Sequence, residues 1–146
     1  MTIALPVTEV TSKLNKELDA GIIDAKDNTI LVKSGSLKEL ISFLKNTPGL
    51  DFDYLTDITS VDYWDYFELV YQLTSIKNNH KLTVKTRLAG RENITASSIV
   101  SIYKGADLQE REIHDLMGIT FEGHPNMKPL ILWEGFKGYP LRKDYL

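Results

Sequence analysis

Apolar residues recur at every fourth position near the start of the chain, at Val10, Leu14 and Leu18, and Gly21 follows. That spacing predicts a helix over residues 8–19 with the glycine as its stop. A second stripe, Leu37, Leu40, Ile41 and Leu44, predicts another helix, closed by Pro48-Gly49. It opens on Ser36-Leu-Lys-Glu39, the form of a capping box. There the serine hydroxyl accepts from the amide three residues on, and Glu39 reaches back to the serine amide. Between the two helices, residues 29–33 read as a short strand.

The period then changes from four to two. Residues 54–61 predict a strand. Residues 66–76 place Phe67, Leu69, Tyr71 and Leu73 on one face. Asn78-Asn79 signals a turn, and residues 80–88 set Leu82, Val84 and Leu88 against Lys81, Lys85 and Arg87. His80, in the turn, is expected in solvent. Half-buried strands joined by a short polar turn, with helices to cover one face, give an α+β fold: a two-layer mixed or antiparallel sheet with helices on one side. Charge is segregated across the hairpin. Residues 49–76 hold six acids and no Lys or Arg, and residues 77–91 hold five bases and no acid. Cross-strand pairing accounts for this, as does a pair of oppositely charged edges meeting different partners.

Residues 99–103 read as a short helix or strand, and Asp107-Leu-Gln-Glu110 as a second cap. A helix is expected from there to Met117, with Gly118 as terminator. Beyond it, Gly123, Pro125, Pro129, Gly135, Gly138 and Pro140 break regular structure, leaving room for one short strand over residues 130–133. Large apolar groups remain interleaved there, so the tail must bury them against its own domain or a partner. No repeat or linker divides the chain, and the expectation is one domain, 1–146, with residues 133–146 as a docking tail.

Composition narrows the chemistry. The 146 residues carry a net charge of −3, from 17 Lys and Arg against 20 Asp and Glu, which gives no drive toward nucleic acid. There is no cysteine. Thiolate nucleophiles, disulfides and cysteine-held zinc or iron–sulfur sites in this chain are therefore excluded. The first residues lack the basic and apolar regions of a signal peptide, and no apolar run approaches the roughly 20 residues of a membrane span. A soluble protein is expected, held near any membrane only by something else.

The densest charged cluster is Glu110-Arg111-Glu112 with His114 and Asp115. On a helix Glu110 stacks on His114 and Arg111 on Asp115. Glu112 lies between Leu108 and Leu116, which predicts a partly buried carboxylate paired with Arg87, Arg111 or Arg142. An acid–base enzyme using Glu110, Glu112 and His114 is one reading, but no nucleophile elbow or phosphate loop accompanies them. A metal held by His114, Asp115 and His124 is another, and hydrogen bonding by His124 in its loop is the plainer alternative.

The stretch from Glu110 to Asn126 reads Glu-Arg-Glu-Ile-His-Asp-Leu-Met-Gly-Ile-Thr-Phe-Glu-Gly-His-Pro-Asn. It resembles the signature of the 30-kDa subunit of respiratory complex I: Glu-Arg-Glu, two residues, Asp, two apolar residues, Gly-Ile, then Gly-His-Pro. Glu110, Arg111, Glu112, Asp115, Gly118, Gly123, His124 and Pro125 fill those positions. The closing Gly-x-Pro-Leu-Arg-Lys-Asp is matched through Pro140, Leu141, Arg142, Lys143 and Asp144. Residues 54–62 also look like the family's first sheet strand, so the resemblance covers about residues 30–146. Leu108 stands where the family usually has an aromatic residue, and Met127-Lys-Pro-Leu-Ile-Leu132 replaces Leu-Arg-Arg-Ile-Leu.

The resemblance implies a non-catalytic α+β subunit of the peripheral arm of a membrane-bound, ion-translocating respiratory-chain oxidoreductase. It would sit on the cytoplasmic face of the membrane and brace the quinone-site (49-kDa-like) subunit and the iron–sulfur subunits. It implies no cofactor in this chain, with iron–sulfur clusters and flavin in partner subunits and quinone as the substrate of the whole. Similar subunits occur in deazaflavin-dependent dehydrogenases, photosynthetic complex-I-like enzymes and membrane-bound hydrogenases, so the motifs leave the electron donor open. The tail residues Pro140 to Lys143 are expected at a subunit interface, ordering only on assembly.

Overall fold

A computed structural model describes residues 2–127 and 138–144. The main sheet is built around a long hairpin, β5 (Tyr66–Ser75) and β6 (His80–Ala89). On one side β5 pairs antiparallel with β4 (Tyr54–Asp62), which forms the edge. On the other side β6 pairs in parallel with β3 (Thr29–Val32) and with the short β1 (Ile3–Ala4). β2 (Ile22–Lys26) closes the far edge against β3. A second, two-stranded parallel sheet joins β7 (Thr95–Ser97) to β8 (Thr120–Glu122).

The alternation along β5 and β6 is as expected. Phe67, Leu69, Tyr71, Leu73, Leu82, Val84 and Leu88 are all buried. The segregated charges meet across the strands. Glu68 lies opposite Arg87, 3.3 Å from its Nε, with Lys85 at 3.6 Å, and Lys77 stands 3.9 Å from Asp51. Cross-strand attraction thus explains much of the charge pattern.

Helix α3 (Leu37–Asn46) lays Leu37, Leu40, Ile41 and Leu44 onto the core, and all four are fully buried. Its expected capping box is absent. A 3-10 turn, Ser34–Ser36, feeds the helix, so Ser36 already has helical backbone angles and its hydroxyl caps nothing. That hydroxyl lies against Gly21 instead, where a Cβ would stand 2.4 Å from it. Gly21 is needed for this close approach.

The expected first helix is two helices. α1 (Val7–Thr11) ends where Thr11 and Ser12 turn their hydroxyls back onto the carbonyls of Thr8 and Glu9. The chain restarts at Asn15, whose side chain accepts from Leu18 N at 2.9 Å and caps α2 (Lys16–Gly21). His80 is also corrected: it is buried, with Nε2 2.8 Å from the Leu50 carbonyl and its ring 4.9 Å from that of Phe52. Residues 99–103 form a turn in which Ile99 O accepts from the amides of Ile102 and Tyr103. The strand expected over residues 130–133 lies outside the described residues.

Because α3 docks through four fully buried side chains, Leu40→Ala is expected to cost about 2–5 kcal/mol by urea denaturation. A loss below about 1 kcal/mol would mean that α3 does not pack on the sheet as described.

Candidate functional site

Helix α4 (Ala106–Met117) connects β7 to β8 and carries the charged cluster. It starts from Gly105 with no side-chain cap, so Asp107 and Glu110 are not a capping pair. The docked helix turns Glu110 inward, and it is fully buried. Its carboxylate accepts from the Ser98 hydroxyl and, at 2.9 Å, from Ile99 N. The acid therefore ties α4 to the turn after β7. Burial pushes its pKa up, and the two hydrogen bonds work against that shift. Burial, and then the nearness of Glu110, also push up the Tyr71 phenol.

His124 is a second strut. Asn126 N–H donates to Nδ1 at 2.9 Å, so that nitrogen keeps its lone pair and the ring proton sits on Nε2. Nε2 lies 3.2 Å from the Asp107 carbonyl and 3.0 Å from the Asp107 carboxylate. The loop after β8 is thereby pinned to the first turn of α4. Both ring nitrogens are engaged, which argues against His124 as a metal ligand. His114 Nδ1 is likewise spent, 3.0 Å from the Ile119 carbonyl. Among the described residues no group of three or more His, Asp and Glu side chains could hold a metal ion.

Glu112 corrects the sequence reading. It is exposed, with no ion pair to a described residue. The buried carboxylate of this helix is its neighbour two places earlier. The three proposed acid–base groups therefore do not share a cleft: Glu110 is in the core, Glu112 is on the surface, and His114 faces a carbonyl. Of the other family-motif positions, Asp115 is buried, Arg111 is half-buried, and Gly123 and Pro125 lie in the exposed turn after β8.

The closing motif forms the second half of the site. Arg142 Nε donates to Met117 O at 2.6 Å, and Nη1 donates to Arg91 O at 2.8 Å. Its guanidinium stacks 4.9 Å from the Phe67 ring and 4.7 Å from that of Tyr139. Gly118, at φ 76°, ends α4 beneath this stack, and a Cβ there would stand 2.7 Å from Tyr139 and 2.8 Å from Arg142. Both the left-handed turn and the close packing require glycine. Arg91 also lies over the Phe67 ring, at 4.9 Å, and forks onto the Asp62 carboxylate. It also reaches Asp144 at 2.9 Å. Lys143 N donates to Asp62 at 2.9 Å, and Leu141 N to Leu116 O at 3.0 Å.

The expectation of a tail ordered only by a partner is thus corrected for residues 138–144: Arg142 spends its donors on its own chain. The apolar and charged side chains beside it stay accessible. Leu141 is 61% exposed, Tyr139 and Lys143 are exposed, and Pro140 is half-buried. Trp133, Phe136 and Tyr145 lie outside the described residues. Asp62, Arg91 and Ser98 were not singled out from sequence. Their only signals were an acid at a strand end, a base closing the basic run, and one serine among many.

Two consequences can be measured. Arg142→Ala is expected to destabilise the free chain by about 2–4 kcal/mol, from two lost charge-assisted hydrogen bonds and two ring contacts. An unchanged urea midpoint would contradict the clasp. For Asp62, the Arg91 guanidinium holds the carboxyl well below the usual carboxylate range, aided by the Lys143 and Trp64 amides and opposed by burial. A depressed folded pKa contributes stability above the ordinary value near 4, and that contribution fades as pH falls below it. Asp62→Asn is therefore expected to cost most at pH 7, about 2–4 kcal/mol, with the gap to the parent narrowing below about pH 4. A gap independent of pH would rule out the ionised pair.

Residues 30–146 match the model of the family described as the respiratory-chain NADH dehydrogenase 30 kDa subunit. The chain is similar to a C subunit of the NADH-quinone oxidoreductase of Rhizobium meliloti, 41% identical over 110 residues, covering 73% of this chain and 59% of that one. Against the corresponding C subunit of Bartonella tribocorum the identity is 36%, covering 94% and 68%. Against the mitochondrial NADH dehydrogenase [ubiquinone] iron-sulfur protein 3 of Candida albicans it is 38%, covering 80% and 42%. The chain thus spans about three-fifths of the length of the first of these relatives. Among solved structures, a chain of the membrane-bound sulfane sulfur reductase, an archaeal respiratory membrane complex, superposes with a TM-score of 0.72 at 30% identity, covering 80% of this chain and 70% of that one. The motifs that build the Glu110 strut and the Arg142 clasp fall within the matched residues, and the chain belongs to the family of the complex I 30-kDa subunit.

Proposed function

We propose that this chain is a non-catalytic structural subunit of the peripheral arm of a membrane-bound, ion-translocating complex-I-like oxidoreductase. It braces the quinone-site subunit against the iron–sulfur subunits. The observation that carries this reading is where the family motifs go. Glu110, His124 and Arg142 all bond to their own chain, so these three ionisable groups of the motifs serve rigidity. Rigid placement is what a brace needs, because an interface formed by prearranged side chains loses less entropy on docking. Around the clasp, Leu141, Tyr139 and Trp64 stay exposed, the large apolar groups that dominate interface energy. Pro140, Leu141 and Lys143 form the contact with the quinone-site subunit.

In this reading the chain holds no cofactor. Iron–sulfur clusters and flavin belong to partner subunits, and quinone is the substrate of the assembled enzyme. No helix among the described residues is long and apolar enough to cross a membrane. Attachment at the cytoplasmic face would then pass through the complex. The likeness to a chain of a sulfane sulfur reductase favours a second version, in which the same brace serves a complex with a donor or acceptor other than NADH and quinone.

Affinity purification of the full chain from native membranes, followed by mass spectrometry, tests both. Iron–sulfur and quinone-site subunits are expected to copurify, and the donor module among them distinguishes the two versions. Recovery of the chain alone would overturn the assembly role.

A further inference from the structure

Strand β4 is an edge of the main sheet, and its outward backbone groups follow from the pairing pattern. Tyr63 N donates to Tyr66 O at 3.0 Å, and the register runs unbroken from Asp57 opposite Gln72 to Asp62 opposite Phe67. Bonded and non-bonded pairs alternate in an antiparallel ladder, so residues 59, 61 and 63 bond to β5 while 58, 60 and 62 aim their N–H and C=O outward. Ile58 fixes this phase independently: its N–H leaves the sheet and donates to the Gln109 side chain of α4 at 2.6 Å. Two residues on, the Ser60 N–H and C=O have no hydrogen-bond partner among the described residues. The Ser60 hydroxyl is also buried and unpartnered.

Alongside this stretch runs a groove of about 160 Å³ between β4 and α4, walled by Ile58, Ser60, Ile113, Leu116 and Leu141. It is too small for a typical small-molecule site, about 300–1,000 Å³, and suits an inserted side chain. Glu112 stands at its rim, exposed and without an ion pair to a described residue. Edge main-chain groups and a rim acid without partners among the described residues, with an apolar slot beside them, are the features that strand addition uses.

We infer that the β4 edge at residues 58–62 receives an extended segment of a partner subunit as an added strand. One apolar side chain of that segment fills the groove, and a neighbouring Lys or Arg meets Glu112. Charge disfavours the pairing of two β4 edges from two copies of this chain, since residues 49–76 hold six acids and no Lys or Arg. The inference rests on the assembly role proposed above and adds the contact that role leaves unspecified.

The test uses the full chain in its native complex. Ser60→Pro removes an outward N–H without taking a bond from the β4–β5 ladder, a substitution that edge strands accept. Glu112→Lys reverses the rim charge on the surface. Each is expected to lower recovery with the partner subunits about tenfold while leaving the urea midpoint of the free chain unchanged. The second variant decides if the proline perturbs folding. A photo-crosslinking residue at Val61 is expected to mark one short stretch of a single partner subunit that carries Lys or Arg. The Ser60 amide is expected to exchange about 100-fold more slowly in the complex than in the free chain. If the complex assembles but the Ser60 amide exchanges as fast as in the free chain, or Val61 links to a second copy, the edge contact is wrong and the assembly role survives. If no other protein of the complex copurifies, the assembly role has failed and the edge contact falls with it.

Discussion

A guanidinium has five donors and no acceptor, so wherever it is held in a fold the surroundings must supply oxygens or ring faces. Arg142 obtains them from three separate parts of the chain: the last turn of α4, the backbone after β6, and the ring of Phe67 in β5. Met117 O is one of the carbonyls that a helix end leaves without an intrahelical partner, so the contact satisfies α4 and Arg142 together. Arg91 repeats the contact with Phe67, with Asp62 as its acceptor. Two cations on one ring would repel. Asp62 and Asp144 both pair with Arg91 and offset that repulsion. The second layer, α4 with its flanking strands, is in this way fastened to the main sheet at one end by Arg142.

The other end of α4 is held by different chemistry. Glu110 is a buried carboxylate with no arginine partner; a hydroxyl and an amide stabilise it instead. Hydrogen bonds offset only part of the cost of burying a charge, which is why its pKa is raised. His124 then pins the start of the helix from outside. Within the charged run that looks like an active site, Glu110 and His114 are therefore fasteners facing different neighbours, and Glu112 faces solvent.

Most of the fold was legible because its strands and α3 obey simple periods. Phe67 to Leu73 and Leu82 to Leu88 alternate without interruption, and Leu37 to Leu44 keep one helical face. Where the sequence misled, local chemistry competed with the period. Val10, Leu14 and Leu18 share a helical spacing, but Thr11, Ser12 and Asn15 bond to the backbone between them and split the helix. Ser36 and Glu39 have the residue types of a capping box, yet a preceding 3-10 turn removes the geometry. In α4 the period was right and the phase was wrong. As it docks on the sheet, α4 turns Glu110 inward and Glu112 outward, and residue types alone do not set that rotation. Asp62 with Arg91 was hidden for another reason: the two are 29 positions apart and meet only after the hairpin forms.

The same clasp explains why an edge strand can stay open over a short stretch. Sheets usually blunt an exposed edge, because unpaired N–H and C=O groups recruit other strands without discrimination. In β4, α4 covers the first half through Gln109, and Lys143 N binds the Asp62 side chain at the far end. What remains between these two contacts is a short stretch of edge centred on Ser60. An opening that short offers too few main-chain bonds to hold an arbitrary strand. A segment that also fills the adjacent groove and brings a cation to Glu112 gains from all three contacts at once. Selectivity would then come from combining a weak edge with side-chain requirements on either side, and the rigidity that Arg142 and Glu110 impose on α4 keeps those requirements in register with the strand.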